Sequence, residues 1–197
     1  MIFQNPDLEI LTPNVGENMI KLIEIAGRTC YKSEDKITPK SARDFVKMLI
    51  SRGHESVLEH VSVTVKITCD RGISHEIVRH RLASFSQEST RYCNYSKKGI
   101  TYIKPSQWQL TEEDNNLLKL IEDHYNKRIA EGLKPEQARY FLPNGLKTEI
   151  VVTANLREWR LILRQRTSKA AHPEMKFIMD YLKDFLKKSI PIVFDDI

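Results

Sequence analysis

Cysteine is scarce in this chain, and the three that occur do not form a set. Cys30, Cys69 and Cys93 are odd in number and show no CxxC spacing, which argues against a disulfide framework and makes a reducing cytoplasm the simplest home. Long apolar runs are missing as well. None approaches the roughly 20 residues that a membrane span needs, so no membrane partner is expected. The first residues, MIFQNPDLEI, lack the basic-then-apolar layout of a secretory signal. There is no low-complexity tract, internal repeat or long Gly/Ser linker, so a single domain over residues 1–197 is expected. A domain of this length can bury a core without metal or disulfide. What remains is 41% hydrophobic and 29% charged, ordinary for a globular protein, with a net charge of +5 and a pI near 9.0. That excess suits an anionic partner or plain solubility, and the distribution of the charge must decide between them.

The pattern of apolar residues predicts interspersed helices and strands. After a short apolar stretch (Leu8, Ile10, Leu11), GENMIKLIEIAGRTCY and PKSARDFVKMLISRG carry apolar residues at helical spacing. From Val61 to Cys69 apolar and polar residues alternate strictly, the mark of a strand with one buried face. Asp70 is placed to cap a helix running through RGISHEIVRHRL, and a Ser-rich turn follows. ITYIKP reads as a short strand. The segment from Thr111 to Gly132 reads as a long helix with Thr111 as its cap and acids in its first turn. PEQARYFLP is a short helix between prolines, LKTEIVVTAN a strand, and LREWRLILRQR and PEMKFIMDYLKDFLKKS are helices. With few βαβ repeats, the order predicts an α+β fold, a mainly antiparallel sheet flanked by helices.

The charge is not spread evenly. RHRLASFSQESTRY places Arg79, His80, Arg81 and Arg91 within thirteen positions, among Ser84, Ser86, Ser89 and Thr90, with Glu88 the only acid. One reading is a solvated helix end, its basic residues meeting the C-terminal dipole and Glu76 bridging to Arg79 or His80 one turn back. The other is a phosphate site, since arginines with hydroxyl and backbone donors are what a phosphate monoester requires. In the helix from Leu156, Leu156, Trp159, Ile162, Leu163 and Ala170 fall on one side, and Arg157, Arg160 and Arg164 on another. Arg166 projects with the apolar side, either as a structural arginine bonded to a carboxylate or carbonyl, or facing a ligand. GHESVLEH offers His54, Glu55, Glu59 and His60, but their spacing matches no standard zinc pattern, and no metal is assigned. Ser89 lacks a GxSxG elbow and an Asp nearby to orient His80, so a phosphate or base contact suits it better than nucleophilic attack.

Arg-His-Arg, seven residues, then Ser, as in RHRLASFSQES, resembles the signature of flavin-dependent thymidylate synthases. GHESVLEH, QARYFLP, NLREWRLILRQR and AAHPEM resemble further blocks of that family, in the same order, across residues 53–175. The resemblance implies a homotetramer with FAD and dUMP at subunit interfaces, NADPH as reductant and methylenetetrahydrofolate as one-carbon donor. By position it implies that Ser56, Arg79, His80, Arg81, Gln87, Asn155 and Arg157 hold FAD. It likewise gives dUMP to Glu76, Arg79, Gln87, Ser89, Thr90, Arg91, Arg139 and Arg166, with Arg166 beside the uracil as the catalytic residue. Glu76 stands where the family commonly carries Gln, Gln87 where Glu is common, and Leu161 where Asn can face the flavin. Two alternatives share these residue types: a flavin-dependent dUMP hydroxymethylase, and a basic nucleic-acid-binding module that would use the arginines against a phosphate backbone. The second lacks an exposed aromatic stacking pattern, so nucleic acid is not the expected partner.

Overall fold

A computed structural model describes residues 1–197. Six strands and eight α-helices are interspersed along the chain, joined in places by 3-10 turns. Strands β1 (Ile2–Gln4) and β5 (Thr101–Ile103) pair in parallel, with Phe3 opposite Tyr102. A second sheet has the order β2-β3-β6-β4, formed by Asp7–Ile10, Ser62–Asp70, Lys147–Asn155 and Ala83–Gln87. The backbone N–H of Leu156 donates to the Val61 carbonyl at 2.9 Å, and the hydroxyls of Thr64 and Thr153 lie 2.9 Å apart. Residue numbers rise along β3 as they fall along β6, which makes that pair antiparallel. The expected α+β class and mainly antiparallel sheet are present.

Two compact units emerge from the packing, and neither is one continuous segment. The first comprises residues 1–7, 67–79 and 85–151; the second comprises 8–66, 80–84 and 152–197. In the first, helix α4 (Glu112–Ala130) begins at a capping box, the Thr111 hydroxyl accepting from the Asp114 N–H while the Asp114 carboxylate accepts from the Thr111 N–H. Tyr125 from α4 packs with Ile100, Tyr102, Leu146 and Ala138, the last from the short helix α5 (Pro135–Ala138).

In the second unit α1 (Glu17–Tyr31) packs on α2 (Ser41–Ser51). A Cβ on Gly27 would sit 2.8 Å from Leu49 Cδ1 and from Phe45 Cε1, so the absence of a side chain is what lets these helices approach. Helix α6 (Leu156–Arg166) packs on α7 (Pro173–Ser189), which in turn packs on α8 (Pro191–Phe194). Trp159 is fully buried and its indole N–H donates to the Val63 carbonyl at 2.9 Å, tying α6 to β3.

Val61, Val63, Val65, Ile67 and Cys69 are all buried, as the alternation predicts. Three local expectations need correction. Helix α3 (Arg71–Ile77) is capped by Asp70, whose side chain accepts from the Ile73 N–H at 2.8 Å, but it stops before the basic cluster instead of running through it. Nothing in the sequence marks that stop; it accompanies burial of the His80 ring. The expected Ser-rich turn contains β4 (Ala83–Gln87), a strand in which Phe85 alone has strong β-propensity and which pairs with β6. Helix α6 ends at Arg166, so Ala170 lies beyond it and is exposed. No helix is long and apolar enough to cross a membrane.

Candidate active site

In the first unit three of the residues expected around dUMP, Ser89, Thr90 and Arg91, lie on the segment after β4, while Arg166 belongs to the second unit. The Ser89 hydroxyl accepts from the Arg91 N–H at 3.2 Å, while its carbonyl accepts from the N–H groups of Tyr92 and Cys93. These bonds fold the segment into a tight turn that presents Ser89, Thr90 and Arg91 together. Arg139, just after α5, donates from Nη1 to the Thr90 hydroxyl at 3.4 Å, and Arg91 donates from Nε to Glu136 at 3.0 Å. Two guanidiniums and two hydroxyls thus converge on one turn, a donor set suited to a phosphate.

The foundation of that turn is residue 88, which sequence reading left unassigned. The Glu88 N–H donates to the Glu149 carbonyl at 2.8 Å, and its carboxylate accepts from Tyr95 at 2.8 Å and Lys147 at 3.0 Å. Burial, with the Glu88 hydrogen bond next in effect, pushes the Tyr95 hydroxyl well above its ordinary pKa, so it stays a donor. Gln87 donates through Nε2 to Ser74 at 2.8 Å and to Thr148 at 3.2 Å. Its amide nitrogen therefore faces the protein. Glu76 belongs to α3, and its carbonyl accepts from the Arg79 N–H at 3.4 Å; the Arg79 side chain is exposed.

In the second unit a cavity of about 520 Å³ is lined by Glu55, Glu59, Leu82, Asn155, Arg157, Glu158, Leu161 and Arg164. Asn155 and Arg157, both expected at FAD, meet there because they flank the start of α6. The Asn155 side chain caps that helix, accepting from the Glu158 N–H at 2.8 Å. Arg157 donates to Glu59 at 2.6 Å. Ser56 is exposed in the 3-10 turn Glu55–His60, which also carries two of the three lining glutamates, Glu55 and Glu59. Leu82, 75% exposed, follows the exposed Arg81.

His80 and Arg166 are also brought together. The Nε–H of Arg166 donates to His80 Nε2 at 3.0 Å, and His80 Nδ1 lies 3.6 Å from Glu158 Oε1. The ring is 7% exposed and Glu158 5%. Burial, and then the Arg166 charge, lower the His80 pKa, while burial raises that of Glu158. Both shifts disfavour an imidazolium–carboxylate pair and keep the ring neutral.

Arg160 corrects the helical-face argument. On sequence it is grouped with Arg157 and Arg164, away from the apolar side, yet it is 1% exposed. At about 100° per residue it lies only about 40° from Leu156, inside the buried arc, a placement that the helical wheel itself contains. Its guanidinium bonds Asp196, Glu55 and the Val193 carbonyl. In GHESVLEH, His54 Nδ1 is 2.8 Å from the Tyr31 hydroxyl, while Glu55 and Glu59 serve Arg160 and Arg157. No group of three or more His, Cys, Asp or Glu side chains is disposed to hold a metal.

Comparison with known proteins gives this geometry its context. The family model described as thymidylate synthase complementing protein matches residues 14–192. The chain is 32% identical over 185 residues to the flavin-dependent thymidylate synthase of Geobacter sulfurreducens, a match covering 88% of this chain and 80% of that one. It is 35% identical over 200 residues to the enzyme of the same name from Corynebacterium efficiens, covering 89% and 78% respectively. Its fold is shared with the UMP/dUMP methylase PolB of Streptomyces cacaoi, solved with 5-Br UMP. The TM-score is 0.80 over 99% of this chain and 95% of that one, at 18% identity. The chain belongs to the flavin-dependent thymidylate synthase family.

Proposed function

We propose that this protein converts dUMP to dTMP, taking the one-carbon unit from methylenetetrahydrofolate and reducing equivalents from NADPH by way of FAD. The observation that carries the reading is the turn at Ser89, Thr90 and Arg91, reached by Arg139. The phosphate of dUMP would meet Arg139, the Ser89 and Thr90 hydroxyls and the part of the Arg91 guanidinium that Glu136 does not engage. Arg79, Glu76 and Gln87 complete the nucleotide contacts. Gln87 Nε2 is held by Ser74 and Thr148, so Oε1 is its acceptor for the substrate. The working form is a cytoplasmic homotetramer whose sites are completed by neighbouring subunits.

Several features of the chain fit FAD. Leu82 and Leu161 offer apolar surface in the cavity, and Asn155 and Arg157 offer polar groups. The cavity glutamates do not oppose an anionic ligand strongly: Arg157 offsets Glu59, Arg160 offsets Glu55, and burial raises the Glu158 pKa. Arg79 and Arg81 are exposed cations suited to a pyrophosphate, and Ser56 adds a hydroxyl. When bound, the flavin supplies the hydride that reduces the transferred carbon. His80 has both ring nitrogens directed at protein groups, so its contribution to FAD comes from its backbone. Arg166 acts on the uracil, where a charge partly withdrawn from water stabilises the anion formed as N3–H ionises.

Incubating the protein with dUMP, methylenetetrahydrofolate, FAD and NADPH, and resolving nucleotide products by mass spectrometry, tests the reading. It expects dTMP. Hydroxymethyl-dUMP would transfer the site to the hydroxymethylase reaction, and protein that takes up no flavin and alters no dUMP would sink both.

A further inference from the structure

Arg166 is held by a residue that is itself held. A guanidinium Nε always carries its proton, so the atom accepting from it must present a lone pair. His80 Nε2, 3.0 Å away, is therefore unprotonated. The ring proton of a neutral imidazole then resides on Nδ1, which faces Glu158 Oε1 at 3.6 Å, an electrostatic contact just beyond hydrogen-bond length. The backbone that carries Glu158 is fixed in turn: it lies in the first turn of α6, its N–H is capped by Asn155, and Trp159 beside it is anchored to β3. Its side chain also lines the 520 Å³ cavity, so one carboxyl group faces both the cavity and the ring.

We propose that Glu158 and His80 form a positioning relay for Arg166: Glu158 holds the Nδ1–H tautomer of His80, and Nε2 of that tautomer orients the guanidinium. The reactive role of Arg166 is that of the proposed function; the relay adds two positioning residues that need not touch dUMP. It also explains why the histidine between two exposed arginines is buried. In the opposite tautomer Nε2 would carry a hydrogen aimed at the Arg166 Nε–H, and the two donors would repel. A protonated ring would present the same conflict with an added charge. The relay thus ties the cavity wall to the substrate arginine through one neutral ring, with no proton transferred along it.

The first test needs no variant. The full-length protein labelled with ¹⁵N-histidine is examined by long-range ¹H–¹⁵N correlation at pH 7, with His80 assigned by its loss in His80→Gln. A pyridine-type Nε2 with a pyrrole-type Nδ1 is expected; the reverse tautomer or an imidazolium overturns the relay.

The second test is kinetic. Glu158→Ala is expected to lower kcat for dTMP by about 10²-fold, the scale of a misaligned reacting group, with the KM for dUMP unchanged. Glu158→Gln, whose amide oxygen can take the same place opposite Nδ1–H, recovers most of that loss. An unchanged kcat in folded Glu158→Ala, or a loss that Gln does not restore, overturns the relay. Should Glu158→Ala fail to fold, the tautomer of the unaltered protein decides. Should the unaltered protein form no dTMP, the functional reading fails while the tautomer still judges the relay.

Discussion

The two terminal nitrogens of Arg160 each donate to one carboxylate oxygen of Asp196, both at 2.7 Å. This planar fork, with Glu55 at 3.1 Å on the same guanidinium, joins the middle of α6 to the segment after α8. The bonds from Arg160 hold the Asp196 carboxyl below its ordinary pKa. A lysine at 160 keeps the charge but reaches one acceptor where the guanidinium reaches three. Two acceptors are lost at about 1.5–3 kcal/mol each, but Asp196 is half-exposed and its share is screened, so the net loss of about one such bond from Arg160→Lys is expected to lower Tm by about 3–12 °C. Calorimetry at matched protein concentration checks this, and an unchanged Tm would mean the fork adds nothing to stability.

Arg166→Lys is expected to act on turnover instead. Lysine has no counterpart of the Nε–H that meets His80, and no planar fork for a ring oxygen and nitrogen together. Loss of one preorganised charge stabiliser lowers kcat by about 10²–10³-fold. Flavin content should be retained, as should the mass of the proposed homotetramer, about 92 kDa for four 23.0 kDa chains. Near-normal dTMP formation would remove Arg166 from the chemistry.

Ser89→Ala should leave an active enzyme. The Ser89 hydroxyl accepts from the Arg91 N–H and has no base positioned to activate it, so its proposed role is binding. A charged hydrogen bond of about 1.5–3 kcal/mol corresponds to a rise of about 10- to 100-fold in the dUMP KM. A covalent adduct trapped on Ser89 would contradict this.

Acid should weaken the protein through His80. Its pKa is lowered in the folded state from the ordinary 6.5, by burial first and by Arg166 second. Between the lowered value and 6.5 the unfolded chain binds more protons at this position. The stability due to the neutral ring is therefore full above pH 6.5 and declines as pH falls through the folded-state value. Denaturant titrations at stepped pH should show a decline that disappears in His80→Gln; the same slope in both proteins would place the acid sensitivity elsewhere.

Thiol chemistry should separate the cysteines. Cys69 is buried, and desolvation, followed by Asp70, pushes its thiol up to about 12. The thiolate is the reactive form, so native Cys69 should resist a disulfide reagent while exposed Cys30 reacts. Mass mapping after brief labelling checks the order, and rapid labelling of Cys69 would show that β3 opens readily.

Much of the architecture can be read without coordinates because it depends on local periodicity. Alternation at Val61–Cys69 defines a one-faced strand, and Thr111 and Asp114 mark the start of α4 wherever that helix packs. The clustering of Arg79, Arg81, Ser89, Thr90 and Arg91 along the chain already suggests an anionic ligand, since charge and hydroxyl content need no fold to be counted. Only tertiary structure decides which of these groups is occupied by the protein itself. Arg160 and Arg166 lie six residues apart on one helix, yet Asp196 and Glu55 claim the first while His80 meets the second. Those partners come from 30 or more residues away, and no helical period specifies them. The same holds for β4, whose serines form a strand because β6 offers it a hydrogen-bonding edge, and for His80, whose ring meets a guanidinium 86 residues along the chain. Periodicity reports which face of an element is apolar; what a buried polar group meets there depends on distant segments arriving, because its desolvation must be offset by a partner.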